Sequence, residues 1–228
     1  MTLNITVVST SGIHQSSDFR LADFKLGPDG QCVPIEDNSP KIIALRYEKW
    51  VGYLTYCGVG KWEHKATYDS ATEWITALGP NATFDDVAQS IEAQGSSWIK
   101  GIQGQLREFQ GHTFILAAFE RGLPRVAVIS NTHSTKGSIA RISNAGLQAS
   151  FGADTGTHIY ITGIDNAVSK ENRTALKRLI ESKAAPNVVR HRLARINAMA
   201  SQRIEARNGI SASCMCYSID SLGGRRRR

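Results

Sequence analysis

The first sixty residues contain no helical pattern, and this feature constrains the fold more than any other. Four of the seven residues 3–9 are β-branched, and a second extended run follows a glycine turn. The segment 27–40 carries three prolines and two glycines, which predicts an irregular connection or an extended hairpin. Two apolar runs follow, at 41–46 and 50–57. Because β-branched and aromatic residues favour strands, we expect four strands before the first helix.

Helical periodicity begins at "TFDDV", where Thr83 can cap a helix and Asp86 occupies the capping-box position. Apolar residues then recur as far as Phe109, which predicts one long amphipathic helix. Beyond it we expect two or three strands, two helices and a closing strand, in the segments 112–120, 125–131, "GTHIYITGI", "SKENRTALKRLIES", 186–207 and "ISASCMCYSID". Blocks of strands and blocks of helices predict a layered α+β fold rather than βαβ repeats.

The composition is that of a globular protein. The chain has 228 residues, 41% of them apolar, which is enough to bury a substantial core. We expect a single domain over 1–222 and a disordered Gly-Gly-Arg tail over 223–228. No run approaches the roughly 18 apolar residues that cross a bilayer. The first residues also lack the features of a signal peptide, so a cytoplasmic location without membrane partners is expected.

The positive charge is concentrated at the C-terminus. Residues 225–228 are all arginine and supply four of the net +7, leaving +3 for the rest of the chain. Other arginines are interleaved with apolar residues at helical spacing over 188–203, which is typical of the charged face of a packed helix. A nucleic-acid-binding function is the least favoured hypothesis, because no recognisable reading motif accompanies the tail.

The cysteines and histidines do not form a metal-binding pattern. The four cysteines show no C-x-x-C spacing, and Cys214 and Cys216 are too close along a strand to bridge each other comfortably. The six histidines are scattered, with no H-E-x-x-H sequence. We therefore expect reduced thiols, no structural or catalytic metal and no other cofactor.

Several residues that could take part in catalysis stand at the ends of the predicted strands. Thr2 directly precedes the first strand, and "SSDFR", with Asp18 and Arg20, closes the first hairpin. Lys41 stands in "SPKIIAL" and Gly58 in "TYCGVG". In this order and spacing, the motifs resemble the proteasome-like family of N-terminal nucleophile hydrolases, and within it the bacterial proteasome β-subunit-like proteins. The resemblance covers residues 2–60 and is limited to element order beyond them.

The resemblance implies a four-layer αββα sandwich and a threonine-nucleophile amide hydrolase or peptidase. Thr2 would be the nucleophile after removal of Met1, and its free α-amine would act as the base through a bound water. Lys41, as an ammonium, would favour deprotonation of the hydroxyl, and Asp18 would hold Lys41 in place. Gly58 would offer its N–H to the oxyanion. A peptide or amide substrate and homo-oligomeric assembly are also implied, while an ATPase or activator partner stays open.

Each motif residue also has an ordinary structural explanation when taken alone. Family members add a serine and a second aspartate near the terminal amine, but "RNGIS" contains no aspartate. The loose candidates for this role are Thr155, Thr157, Asn208 and Ser211. A catalytically inactive protein that keeps the fold for assembly or partner binding is therefore the alternative hypothesis.

Overall fold

The computed structural model describes residues 2–26, 28–62, 64–103, 111–133, 141–142, 146–153 and 156–221. The strands are β1 Leu3–Val8, β2 Gly12–Asp18, β3 Leu21–Leu26, β4 Cys32–Glu36, β5 Ile42–Arg46, β6 Trp50–Cys57, β7 Lys61–Trp62, β8 Lys65–Ala66, β9 Thr113–Glu120, β10 Leu123–Ser130, β11 Thr132–His133, β12 Arg141–Ile142, β13 Gln148–Ala153, β14 His158–Gly163 and β15 Cys214–Asp220. The α-helices are α1 Thr67–Thr76, α2 Phe84–Gln103, α3 Lys170–Glu181 and α4 Pro186–Ser201.

Two antiparallel sheets lie at the centre of the fold. The first has the strand order β14-β1-β2-β15, and the second has the order β13-β10-β9-β6-β5. Helices α3 and α4 cover the outer face of the first sheet, and α1 and α2 cover the second. The fold is thus the expected four-layer αββα sandwich, with mixed helices and antiparallel sheets.

Three apolar cores lie between the four layers. The core between the first sheet and its helices contains Leu3 and Ile5 of β1 together with Leu193 of α4. The core between the sheets contains Ile13 of β2 and Ile115 of β9. The third core, between the second sheet and its helices, is rich in large side chains, including Trp50, Phe84, Ile91, Ile99 and Phe114. Because side chains alternate across a strand, each central strand can contribute to two cores.

Most of the expected elements are confirmed, and two helix starts are capped as the sequence predicts. The Thr83 hydroxyl accepts the Asp86 N–H at 3.1 Å, and Asp86 Oδ2 accepts the Thr83 N–H at 2.8 Å. This reciprocal pair is the capping box at the start of α2. The Ser169 hydroxyl accepts the Asn172 N–H at 3.3 Å at the start of α3.

The structure also corrects the predicted element order. Helix α1 precedes the predicted first helix, and β13 was not predicted. The α1 sequence gave a weak signal because its N-cap, Ala66, makes no side-chain cap and its buried apolar residues are only Ala71 and Ile75. The third predicted helix ends at Ser201 rather than 207 and is followed by a 3-10 turn. Phe109 and the tail 223–228 lie outside the described residues.

Among the helices that the structure describes, none combines the length and apolar character needed to cross a bilayer.

Two buried histidines are held neutral by the fold. Burial lowers the pKa of His112 to about 3, and its Nδ1 accepts the Val59 N–H at 3.1 Å. Burial, helped by the positive charge of Arg190, lowers the pKa of His14 to about 4. His14 Nδ1 lies 2.7 Å from the Ser218 hydroxyl oxygen. Both histidines thus have a lower pKa in the folded chain than the ordinary value of 6.5.

These lowered pKa values predict acid sensitivity. The unfolded state takes up a proton at each histidine below about pH 6.5, and the folded state does so only near the lowered pKa. The stabilisation is therefore complete above about pH 6.5 and is lost as the pH falls. Between roughly pH 6 and 4, each histidine should lower the unfolding free energy by about 1.4 kcal/mol per pH unit.

Urea unfolding of the wild type and of His112→Asn at several pH values isolates the contribution of one histidine. The difference in unfolding free energy between the two proteins should shrink as the pH falls from 7 to 4. Gly101→Ala is the control, because it removes no titratable group and its Cβ meets nothing within 4 Å, and its difference from the wild type should be independent of pH. A pH-independent difference for His112→Asn would contradict the assignment.

Candidate functional site

Four strand ends bring the predicted residues to one end of the sandwich. Thr2 directly precedes β1, and Asp18 ends β2, with β1 and β2 paired antiparallel. Lys41 directly precedes β5, and Gly58 directly follows β6, with Ile42 opposite Thr55 in that pair. Because both hairpins present their open ends to the same side, residues separated by up to 56 positions share one site.

The hydroxyl of Thr2 lies between Lys41 and Asp18. It donates a hydrogen bond to Asp18 Oδ1 at 2.9 Å and accepts one from Lys41 Nζ. Lys41 Nζ also donates to Asp18 Oδ1 at 3.2 Å and to the Arg20 carbonyl oxygen at 2.5 Å. The three N–H groups of an ammonium thus have three acceptors.

This cluster is almost completely removed from solvent. Thr2, Asp18 and Lys41 are 4%, 0% and 2% exposed. Burial lowers the pKa of Lys41, and the negative charge of Asp18 and its hydrogen bond oppose that shift. Burial thus favours the neutral amine of Lys41, and Asp18 favours the ammonium.

Asp18 is fixed by backbone donors as well as by Lys41. Its Oδ1 accepts the Leu3 N–H at 2.8 Å, and its Oδ2 accepts the Arg20 N–H at 2.9 Å and the Ser211 N–H at 3.4 Å. A buried carboxylate that accepts several N–H groups is held in one orientation. The side chain of Arg20 points to Asp37, which it binds through both carboxylate oxygens at 2.6 and 3.1 Å.

Gly58 occupies a tight turn that only glycine fits. Its φ is +115°, and a Cβ there would lie 2.5 Å from the Gly111 carbonyl oxygen and 2.7 Å from His112 Nδ1. His112 Nδ1 accepts the N–H of Val59, the next residue. His112 thus fixes the position of the turn through the Val59 N–H. The Gly58 N–H makes no hydrogen bond within the described part of the chain.

One buried polar contact connects the two hairpins across the sheets, and two further contacts hold the second hairpin together. The Asn4 side chain donates to the Tyr56 carbonyl oxygen at 2.6 Å, and the Tyr56 hydroxyl donates to the Pro40 carbonyl oxygen at 3.1 Å. The Thr55 hydroxyl donates to the Lys41 carbonyl oxygen at 2.9 Å. These contacts set the position of Lys41 and of the turn after β6 relative to β1.

Gly163 allows β14 to approach Thr2 closely. It lies opposite Leu3 in the β1–β14 pair and has a φ of +90°. A Cβ at this position would lie 1.9 Å from the Thr2 carbonyl oxygen. The same carbonyl accepts the Ile164 N–H at 2.9 Å. The backbone of Thr2 is therefore fixed on the side of β14.

The four loose candidates have different outcomes. Ser211 reaches the site, because its N–H donates to Asp18 Oδ2 and its hydroxyl accepts the Phe19 N–H at 3.2 Å. Asn208 Oδ1 accepts a hydrogen bond from Arg20 at 2.5 Å. Thr157 directly precedes β14 and lies at the opposite end of that strand from Thr2. Thr155 lies outside the described residues.

Sequence reasoning missed His112, Asn4 and Gly163. A lone histidine at a strand start and an asparagine within a strand carry no motif, since their partners are 53 and 52 residues away. Gly163 at the end of "HIYITG" was the one available signal, because an isolated glycine in a strand often marks a close backbone approach. Over the described ranges, no group of three His, Cys, Asp or Glu residues could hold a metal ion.

Comparisons with known proteins identify the fold. No family model matches the chain, and no curated protein matches it. Anbu (ancestral beta-subunit) from Yersinia bercovieri matches with a TM-score of 0.57 and 12% identity, over 96% of this chain and 82% of that chain. An Anbu (Gly-1) mutant from Hyphomicrobium sp. strain MC1 matches with a TM-score of 0.56 and 12% identity, over 95% and 80%. The chain shares the fold of these Anbu structures.

The comparisons correct the narrower part of the sequence resemblance. The identification as a bacterial proteasome β-subunit-like protein is wrong, because the matched structures are Anbu proteins and no family model matches. A second Anbu structure from Hyphomicrobium sp. strain MC1 matches with a TM-score of 0.52 and 12% identity, over 96% and 82%. At this identity the likeness concerns the fold alone.

The buried pair gives a prediction about stability. Lys41→Met should lower the unfolding free energy by about 3–5 kcal/mol, because Asp18 is left buried without its counter-charge. Adding Asp18→Asn to this variant should recover part of the loss, since a neutral amide can still accept the Leu3 N–H. Urea unfolding of the wild type, both single variants and the double variant measures this coupling.

An exposed ion pair provides the matched control for that cycle. Lys65 and Glu73 form a salt bridge with side chains that are 49% and 63% exposed. Lys65→Met should change the unfolding free energy by less than about 1 kcal/mol. If Lys41→Met were as mild as Lys65→Met, the pair would not be buried as described.

The contact between Gly163 and Thr2 gives a second prediction. Gly163→Ala should lower the unfolding free energy by more than about 1 kcal/mol, since it combines backbone strain with a clash against the Thr2 carbonyl. Gly101→Ala is the control, because a Cβ in that helix meets nothing within 4 Å. The control should be neutral or stabilising, by up to about 1 kcal/mol. Equal stability of both variants in urea unfolding would refute the close approach.

Proposed function

We propose that the chain is a threonine-nucleophile amide hydrolase, a peptidase or amidase that acts through Thr2 after removal of Met1. The observation that carries the proposal is the position of the Thr2 hydroxyl, which is hydrogen-bonded to both Lys41 and Asp18. A buried lysine–carboxylate pair is costly to maintain, so its placement around one hydroxyl favours a chemical role.

The base in this proposal is the α-amine of Thr2, which exists only when Met1 has been removed. Its reference pKa is about 8, so about a tenth of it is unprotonated at pH 7, and this fraction can take the hydroxyl proton through a bound water. Removal of Met1 is favoured because the side chain of Thr2 is small. The Lys41 ammonium stabilises the alkoxide that develops at Oγ1, and Asp18 orients that ammonium.

The Thr2 oxygen would then attack the carbonyl carbon of an amide. The negative charge moves to the carbonyl oxygen, where the Gly58 N–H can donate to it, since no described residue accepts from that N–H. Loss of one such donor typically costs about 10²–10³ in rate. The C–N bond breaks, the leaving amine takes up the proton, and the acyl group stays as an ester on Thr2. Attack of water on this ester releases the acid and restores the hydroxyl.

Assembly into a homo-oligomer is part of the proposal. Helix α4 exposes Val188 and Met199, each 44% accessible, beside the arginines on its surface. Methionine and arginine are enriched at interfaces between protein chains. The alternative function is an inactive protein that keeps the fold for assembly, and the absence of an acid from 208–213 favours it.

Labelling with a peptide epoxyketone separates these functions. The reagent forms a ring with the hydroxyl and the free amine of one threonine, so it reports both groups together. We expect one adduct per chain on Thr2, detected by intact mass and peptide mapping, in protein that has lost Met1. Thr2→Val, which has a similar shape but no hydroxyl, should give no adduct, and Thr2→Ser should still react.

An N-terminal extension that cannot be removed is a second control, because it blocks the amine and should abolish the adduct. Complete retention of Met1 would favour the inactive alternative. An adduct on Cys57, or the absence of any adduct, would also favour it, provided that the same reagent labels a threonine hydrolase of known activity.

A further inference from the structure

The first and third residues of β15 are cysteines whose sulfur atoms lie close together. Cys214 Sγ and Cys216 Sγ are 3.4 Å apart, and both side chains are half-buried. Residues two apart on a strand face the same side, and β15 forms one edge of the first sheet. The two thiols are therefore in contact with each other, and neither is fully buried.

The other two cysteines lack this arrangement. Cys32 is buried, and burial raises the pKa of its thiol. Burial also raises the pKa of Cys57. Of the four cysteines, only Cys214 and Cys216 have a thiol as hydrogen-bond partner. The chain thus contains one thiol pair and two internal comparison cysteines.

We infer that Cys214 and Cys216 are a site of reversible intramolecular disulfide formation, with a low-molecular-weight disulfide such as oxidised glutathione as co-substrate. This site is separate from the proposed hydrolase chemistry. It does not depend on removal of Met1.

The two thiols have unequal roles in the exchange. The hydrogen bond from Cys214, helped by the positive charge of Arg190, lowers the pKa of Cys216. The same hydrogen bond and burial raise the pKa of Cys214. Since the thiolate is the attacking form, the lowered pKa favours Cys216 as the first nucleophile, and the 3.4 Å between the sulfur atoms places Cys214 to act as the resolving thiol.

The exchange balances in two steps. The Cys216 thiolate attacks one sulfur of oxidised glutathione, the S–S bond breaks, and one glutathione thiolate leaves. Cys214 then gives its proton to solvent and attacks Cys216 Sγ, which forms the protein disulfide and releases the second glutathione thiolate. Two protein thiols are oxidised, and one external disulfide is reduced to two thiols.

The resulting disulfide should be easy to reduce. Two residues apart on an extended strand span about 6.6–6.8 Å between Cα atoms, at the upper end of the range that disulfides bridge. Closure therefore bends the start of β15, and strained disulfides are the labile ones. Cys214 lies opposite Asp18 in the β2–β15 pair, three residues after Ser211. The bend thus lies close to the hydrogen bond that the Ser211 N–H donates to Asp18 Oδ2.

Titration of the full-length protein with oxidised glutathione tests this inference. Trypsin releases both cysteines in one peptide, which begins at Asn208. In the wild type we expect this peptide to lose two hydrogens without a glutathione adduct, and reduction should restore the original mass. Oxidised glutathione is preferred to peroxide because it leaves the intervening Met215 unchanged.

Two single variants distinguish the roles of the thiols. Cys214→Ser should stop at a glutathione adduct on Cys216, and Cys216→Ser should react at least tenfold more slowly. Urea unfolding of each variant checks that it is folded. The inference is overturned if the wild-type peptide keeps both thiols, accumulates a stable adduct, or closes only in urea.

Discussion

The buried ion pair between Lys41 and Asp18 is the interaction on which the rest of the site depends. Lys41 is 2% exposed and Asp18 is not exposed at all, so neither charge can be stabilised by water. Each charge is instead satisfied by the other, by the Thr2 hydroxyl and by backbone groups at strand ends. Such a pair tolerates little displacement, because loss of one partner leaves the other buried and charged. The position of Thr2 is thereby fixed.

The sandwich supplies this site by placing the open ends of two hairpins together. One hairpin belongs to each sheet, and the contact from Asn4 to the Tyr56 carbonyl joins them. Gly163 and His112 act from neighbouring strands, one against the backbone of Thr2 and the other beneath the turn at Gly58. Few side chains of the site could therefore take part in a reaction. Most of the surrounding contacts fix the positions of those few.

The sequence predicted the parts of this arrangement that depend on local order. Thr2, Asp18, Lys41 and Gly58 stand at strand ends within sixty residues, so a strand pattern and a family resemblance sufficed to select them. His112 and Gly163 could not be selected as site residues, because their roles come from contacts with residues far away in the chain. Helix α1 was missed for a different reason, since it has no side-chain cap and only a narrow apolar face. Long-range packing, more than local propensity, decides these features.

The most direct test of the central claim is a crystal structure of the purified protein after reaction with a β-lactone. The account predicts a chain that begins at Thr2, an ester bond to its Oγ1, and Lys41 Nζ within hydrogen-bond distance of both Oγ1 and Asp18. A chain that still carries Met1, or an ammonium of Lys41 directed away from Thr2, would contradict it.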